Sequence, residues 1–231
     1  KDDNYINNHF VIMCTKKGQV KKTSLEKYSR PRSNGINAIT IKDEDELLEA
    51  KLTTGNSQIL MAVKSGKCIR FEEGKTRPMG RNASGVRGIR LQHDKDEVIG
   101  MVAVNDMESN ILVVSSNGYG KRSRLEDYRI TNRGGKGVKT ISITEKTGDL
   151  VAIKNVDDSN GLMIINKSGI AIRMAVEDLR VMGRATQGVK LINIKDGDSI
   201  AAVAKVIHEK DEEQHNEELE STEENNTNSE Q

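Results

Sequence analysis

The amino-acid sequence predicts an all-β fold of four propeller-like blades, each about fifty residues long. Two observations lead to this prediction. A segment made of an apolar run, a polar turn with glycine and a strand-like stretch occurs four times, and a second glycine marker follows it each time. About four strands per repeat of this length is typical of a blade in a propeller or a related radial repeat. The alternative, a β-sandwich without repeats, leaves the two-marker period unexplained.

The first marker is a glycine in the turn that follows an apolar run. The four segments are VIMCTKKGQVKKTSL from residue 11, LMAVKSGKCIRFEEG from 60, LVVSSNGYGKRSRLE from 112 and MIINKSGIAIRMAVE from 163. Their turn glycines, Gly18, Gly66, Gly118 and Gly169, lie 48, 52 and 51 residues apart. The continuous apolar runs predict strands buried on both faces, and the glycines predict hairpin turns.

The second marker lies 17, 19, 19 and 19 residues after the first, at Gly35, Gly85, Gly137 and Gly188. The alternation of apolar and polar residues in 141–143 and 192–194 predicts half-buried strands there. Apolar stretches such as VIGMVAV close the repeats, and only DEDELLEA (43–50) has a faint helical pattern. The predicted repeats are 9–56, 57–108, 109–159 and 160–208, which together form one domain over 1–208.

The charge is distributed unevenly along the chain. Residues 209–231 contain ten acidic residues and one lysine, whereas the other 208 residues contain 35 basic and 25 acidic residues. The segment 209–231 is almost free of apolar residues, so we predict a disordered acidic tail. The basic body indicates a polyanionic partner.

The composition argues against several other classes of protein. No apolar run approaches the ~20 residues of a membrane-spanning helix. Two Phe, four Tyr and no Trp are too few to stack the bases of a single strand, and the four His have no metal-ligand spacing, so we predict no metal site. Cys14 and Cys68 stand apart from any CxxC pair, which favours a reducing cytoplasm.

The basic residues recur at fixed positions relative to both markers. Four places after the first glycine stand Lys22, Arg70, Arg122 and Arg173, and Lys21 and Lys121 precede two of them. Four places before the second glycine stand Arg81, Arg133 and Arg184, with Arg32 one place later in the first repeat. Four places further back stand Arg77, Arg129 and Arg180, with Arg30 near the equivalent position. Two places after the second glycine stand Arg87, Lys139 and Lys190.

This recurrence predicts a binding surface, because equivalent positions of a radial repeat lie at equivalent points around it. The cations would form a curved band that suits the phosphate backbone of a bent duplex, with affinity supplied by counterion release. For any single residue, an ordinary solvated charge is the simpler interpretation. RITNRGGKGVKT (129–140) would add Lys136 and glycine amides that approach phosphate closely. It is not a nucleotide P-loop, since Gly137 follows Lys136 and a strand follows the loop.

These motifs resemble those of a known family. NGYGKRSRLEDY, RPMGRNASGVRGIRL, VMGRATQGVKLI and KKGQVKKTSLEKY are similar to the C-terminal β-pinwheel of the DNA gyrase A subunit, which wraps DNA, over about residues 5–208. The related topoisomerase IV subunit has the same kind of domain. The family's gyrase A box is Q-R/K-R-G-G-K-G. TNRGGKG (131–137) matches it at Arg133, Gly134, Gly135, Lys136 and Gly137 and departs at Thr131 and Asn132.

The resemblance implies a non-catalytic module that binds and wraps double-stranded DNA for negative supercoiling by the whole enzyme. It implies that these are the last four of six blades, with the usual box and the cleavage tyrosine outside the chain. No cofactor is expected here, since ATP and Mg²⁺ would act in other parts of the enzyme. The implied partners are the gyrase B subunit together with the rest of the A subunit, in an A₂B₂ heterotetramer in the bacterial cytoplasm near the nucleoid. A protein-interaction propeller whose basic surface binds an acidic partner is the alternative.

Overall fold

The computed structural model describes residues 2–207 and confirms an all-β architecture of four small sheets, a β-pinwheel. The predicted acidic tail lies outside the described residues. One short helix, α1 (Asp3–Asn8), precedes the first strand and was not predicted; the side chain of Asp2 caps its first turn. No helix in the described part of the chain is long and apolar enough to cross a bilayer.

Each blade is built on a hairpin with a third antiparallel strand beside it. The hairpins are β1 (Phe10–Thr15) with β2 (Gln19–Ser24), β4 (Gln58–Val63) with β5 (Lys67–Glu72), β8 (Asn110–Ser115) with β9 (Tyr119–Arg124), and β12 (Asn160–Asn166) with β13 (Ala171–Ala175). The third strands are β3 (Leu47–Thr53), β7 (Val98–Val104), β11 (Leu150–Val156) and β15 (Ile200–Ile207). These third strands also contact one another from blade to blade and so form the inner side of the fold. Short 3-10 turns, Leu25–Tyr28, Glu73–Lys75 and Leu125–Asp127, follow the first three hairpins.

The outermost strand of a sheet is supplied by the next repeat. The two-residue strands β6 (Val86–Arg87), β10 (Val138–Lys139) and β14 (Val189–Lys190) pair antiparallel with β2, β5 and β9 respectively. Among the described residues, the fourth sheet has the order β13-β12-β15 and no such added strand. The segment around the second glycine marker therefore lies at the outer edge of the preceding blade, together with its basic residues.

The hydrophobic core consists of three clusters, one between each pair of neighbouring blades. On β4, Ile59, Met61 and Val63 pack towards the first blade, whereas Leu60 and Ala62 pack towards the third, and all five are fully buried. The continuous apolar run thus buries both faces, as predicted. The third cluster joins blades three and four in the same way.

Three of the four second-marker glycines, Gly85, Gly137 and Gly188, are required by the close approach of successive repeats, whereas a Cβ atom at Gly35 would meet no atom within 4 Å. Gly137 has φ +69°, and a Cβ atom there would lie 2.5 Å from the carbonyl oxygen of Cys68 in the preceding hairpin. Gly85 and Gly188 are in the same situation, with a preceding-repeat carbonyl oxygen 2.6 and 2.4 Å from the added atom. Any L-residue would combine an unfavourable φ with a steric clash, so the sequence marker records a contact between blades.

Two local predictions were wrong. The segment 43–50 is not helical; it forms a turn and then enters strand β3, because its apolar residues complete a sheet beside β1. The alternating stretches 141–143 and 192–194 are not strands, and only two residues after each second marker pair with a neighbour. Ile141 and Ile192 are nevertheless buried in the clusters between blades.

Candidate nucleic-acid interface

The structure sorts the eighteen predicted cations into three groups. Five are buried: Lys21, Lys22, Arg70, Lys121 and Arg122. Three are half-buried: Arg81, Arg133 and Arg184. Ten are exposed: Arg30, Arg32, Arg77, Arg87, Arg129, Lys136, Lys139, Arg173, Arg180 and Lys190. Only the exposed group has its charge fully available to a partner in solution.

The buried cations on β2 and β5 connect each blade to the next. Lys22 Nζ lies 3.1 Å from Glu73 Oε1, and the two side chains are 5% and 0% exposed. Arg70 Nη1 donates to the carbonyl oxygens of Leu125 and Tyr128 at 2.8 and 3.0 Å. These partners lie in or beside the 3-10 turn of the following repeat, so each cation gives polar groups of that repeat a further hydrogen-bond or ion-pair partner.

Arg122 repeats this arrangement in the third blade. Its guanidinium donates to the carbonyl oxygen of Leu179 and pairs with the Asp158 carboxylate. The sequence prediction that Lys22, Arg70 and Arg122 contact a phosphate backbone is therefore corrected, because the following repeat covers them. Arg173, at the equivalent position of the fourth repeat, is exposed.

The prediction is corrected for Lys21 and Lys121 as well, since both side chains are fully buried. Lys21 Nζ donates to the carbonyl oxygens of Ala38 in its own repeat and of Arg81 in the next repeat, and Lys121 Nζ donates to that of Gly183 in the next repeat at 2.6 Å. Burial, with a smaller contribution from the positive charge of Arg184, lowers the pKa of Lys121 to about 8. Burial likewise lowers the pKa of Lys21. A lysine held this way anchors the loop of the next repeat.

The half-buried arginines fasten their loops to the preceding repeat. Nη1 of Arg81, Arg133 and Arg184 donates to the carbonyl oxygen two places after the preceding second-marker glycine, at 3.3, 3.2 and 2.6 Å. Nε of Arg133 and of Arg184 also donates to a carbonyl oxygen of the preceding 3-10 turn, at 3.0 Å in both cases. These arginine side chains therefore position the basic loops. Their recurrence in the sequence is compatible with this structural role and with a ligand-binding role, so the sequence alone could not separate the two.

The exposed cations lie mainly in three equivalent segments that contain no Asp or Glu. Segments 76–90 and 128–142 carry four basic residues each, and 179–193 carries three; we call these three segments the basic rim. None of the exposed predicted cations on the rim forms an ion pair with another described residue. Arg90 is a further exposed rim cation, missed because only recurring positions were considered, although the acid-free run would have revealed it.

The carboxylates concentrate in a different set of loops, at 43–46, 94–97, 145–149 and 196–198. There they neutralise lysines of the hairpin turns. Lys16 Nζ lies 2.8 Å from a Glu46 carboxylate oxygen, and Lys64 Nζ lies within 3.9 Å of carboxylates from two different repeats. Positive charge therefore stays unpaired along the basic rim, whereas Lys16 and Lys64 at the hairpin turns are paired with carboxylates.

The box-like loop 131–137 is held against the preceding repeat by its backbone. The Gly134 amide donates to the Gly88 carbonyl oxygen at 2.6 Å, and the Gly135 carbonyl oxygen accepts from the Arg90 amide at 2.8 Å. The amide of Gly134 consequently cannot serve the anion-binding role suggested for the loop's glycines. Lys136, at the exposed end of the loop, presents its ammonium group to solvent.

Comparison with known proteins adds to this geometry. Residues 9–54, 58–105, 109–157 and 162–207 each match the family model described as DNA gyrase C-terminal domain, beta-propeller. The chain belongs to this gyrase family. It is 45% identical over 203 residues to the DNA gyrase A subunit of Staphylococcus epidermidis strain ATCC 12228, covering 87% of this chain and 23% of the relative. With the DNA gyrase A subunit of Staphylococcus aureus strain MRSA252 it shares 44% identity over 210 residues, covering 90% and 24%.

The gyrase domain thus spans about a quarter of the length of these curated relatives. Solved structures show the same fold. The C-terminal domain of DNA topoisomerase IV superposes with a TM-score of 0.82 at 21% identity, covering 89% of this chain and 64% of that one. The DNA gyrase A C-terminal domain superposes with a TM-score of 0.77 at 22% identity, covering 87% and 67%. At these identities the likeness concerns the fold, whereas the curated relatives favour gyrase over topoisomerase IV.

Proposed function

We propose that this domain is a DNA-binding module of the gyrase A subunit that bends duplex DNA around the outer edge of its blades. The observation that carries the proposal is the basic rim, in which exposed, unpaired cations recur at equivalent positions of three successive repeats, within segments that contain no carboxylate. Neutralising phosphates along a curved path releases condensed counterions, which supplies affinity without reading the base sequence.

Several features favour a bent duplex as the partner. The cations follow the order of the blades, so a duplex that stays in contact with all three rim segments must curve with them. Smooth bending of 20–30 base pairs by 40–90° costs on the order of 1–6 kcal/mol, which several phosphate contacts can offset. The described residues offer few exposed aromatic side chains, which single-strand binding proteins use for base stacking.

Within the whole enzyme, this module would hold a wrapped DNA segment and thereby support ATP-dependent negative supercoiling. The B subunit together with the rest of the A subunit, in an A₂B₂ heterotetramer, would supply DNA cleavage and the use of ATP and Mg²⁺. The domain itself would contribute binding and DNA geometry and no catalytic group.

Titration of a 40-base-pair duplex at 50–300 mM KCl, followed by fluorescence anisotropy, tests the proposal. We expect log K to fall with log[KCl] with a slope of about −5 or steeper, corresponding to about six or more phosphate contacts. Absence of binding at 50 mM KCl, or a slope shallower than about −2, would contradict it and would favour the alternative in which the rim binds an acidic protein.

A further inference from the structure

An exposed apolar residue occupies the same position in each of the three rim segments. Pro78, Ile130 and Val181 are equivalent, since they lie seven places before their second-marker glycines. Ile130 is 49% exposed and Val181 is 45% exposed, and Pro78 is also exposed. Isolated exposed apolar residues are ordinary in proteins. The ordinary occurrence of single exposed apolar residues does not explain why an apolar residue is exposed at the same position of three repeats, on a surface that is otherwise charged.

The backbone holds these apolar residues in fixed positions. Parallel bridges pair the backbone of Pro78 with that of Lys22, Ile130 with Arg70, and Val181 with Arg122. The amide after each apolar residue donates to the carbonyl oxygen of the same cation-bearing residue, at 2.8, 2.9 and 2.9 Å. Their exposure therefore follows from the repeat geometry and not from a loose loop.

The chemistry around each apolar residue points to a nucleic-acid partner. Ile130 stands one place after Arg129 and three places before Arg133, and Val181 has the same arginine neighbours in its repeat. With no carboxylate in the segment, a polyanion can approach closely. The sugar edges of a duplex combine an apolar surface with phosphates on either side, and minor-groove proteins place apolar side chains against that surface where the duplex bends.

We propose that Pro78, Ile130 and Val181 form an apolar row that packs against the deoxyribose edges of the minor groove wherever it turns towards the protein, while neighbouring arginines contact the flanking phosphates. This inference rests on the proposed function and deepens it. The row would fix the position of the duplex along successive blades. It would also contribute affinity that does not depend on salt concentration, because burial of apolar surface releases no counterions.

The test replaces Ile130 and Val181 together by serine and measures duplex affinity and its salt slope. We expect binding to weaken about tenfold at every salt concentration, with the slope changed by less than about half a unit, because no cation is lost. The matched control replaces Leu47 and Leu52, which are 45% and 48% exposed on β3, by serine and should bind like the unsubstituted domain. Thermal melting checks that both variants remain folded.

Three results would overturn the inference. The unsubstituted domain could bind with a steep salt slope while the Ile130→Ser, Val181→Ser variant binds with unchanged affinity. That result would contradict the proposed role of the apolar row and would leave the proposed function intact. A slope reduced by about one unit or more would show that the substitutions act by displacing neighbouring arginines. Failure of the unsubstituted domain to bind duplex DNA would overturn both the row and the proposed function.

Discussion

Substituting Lys136, Lys139 and Lys190 by glutamine is expected to weaken duplex binding about a hundredfold at 0.1 M salt and to make the salt slope shallower by about two to three units. All three lysines are exposed on the basic rim and none is paired with a carboxylate of the described residues. Each would release about one counterion on binding, so their effects on the slope should add. Anisotropy titrations at several salt concentrations measure both quantities.

The control for this variant changes the same net charge elsewhere. Lys17, Lys95 and Lys195 are also exposed, but they lie in or beside the turns where acidic residues concentrate. Their replacement by glutamine should change the slope by less than about half a unit. Equal losses in the two triple variants would show that binding depends on net charge alone, and the assignment of the rim as the interface would then be wrong.

The second large effect concerns stability. Replacing Arg70 by methionine is expected to lower the free energy of unfolding by about 3 kcal/mol, because the carbonyl oxygen of Tyr128 loses the Arg70 donor and that of Leu125 keeps only the amide of Tyr128. The guanidinium holds the second blade to the turn of the third, so the loss acts on the contact between blades. Urea denaturation followed by circular dichroism measures the change.

Arg77→Met is the matched control, since Arg77 is exposed on the rim of the same repeat. It should alter stability by less than about 0.5 kcal/mol and reduce the salt slope by about one unit. Arg70→Met, measured where it remains folded, should leave the slope unchanged. The reverse pattern, with a stable Arg70→Met that loses one unit of slope, would restore the sequence-based view of Arg70 as a phosphate contact.

The repeat architecture could be predicted because close packing between blades leaves local marks in the sequence. Gly85, Gly137 and Gly188 are needed wherever one repeat approaches the previous hairpin, and apolar runs such as 59–63 are needed wherever a strand is buried on both sides. The family resemblance rested on the same marks. The pairing of β10 with β5 of the preceding repeat was not predictable in this way, because it joins residues about seventy positions apart.

The recurring cations could not be sorted from the sequence for a related reason. Residues that make contacts between repeats recur at fixed positions just as surface residues do. Lys22, Arg70 and Arg122 recur because each one pairs with a polar group in the following repeat. Distance from the markers does not tell whether another repeat covers a side chain. The absence of Asp and Glu from 76–90, 128–142 and 179–193 was the better indicator of the exposed interface.

Ligation of nicked circular DNA in the presence of the domain is the decisive measurement of wrapping, because it reports whether bound duplex is bent into a path of fixed hand. We expect the unsubstituted domain to shift the distribution of topoisomers after ligation, and the variant with Lys136, Lys139 and Lys190 replaced by glutamine to shift it much less at equal protein concentration. An unshifted distribution under conditions where the duplex is saturated would contradict the claim that these blades wrap DNA around their rim in a path of fixed hand.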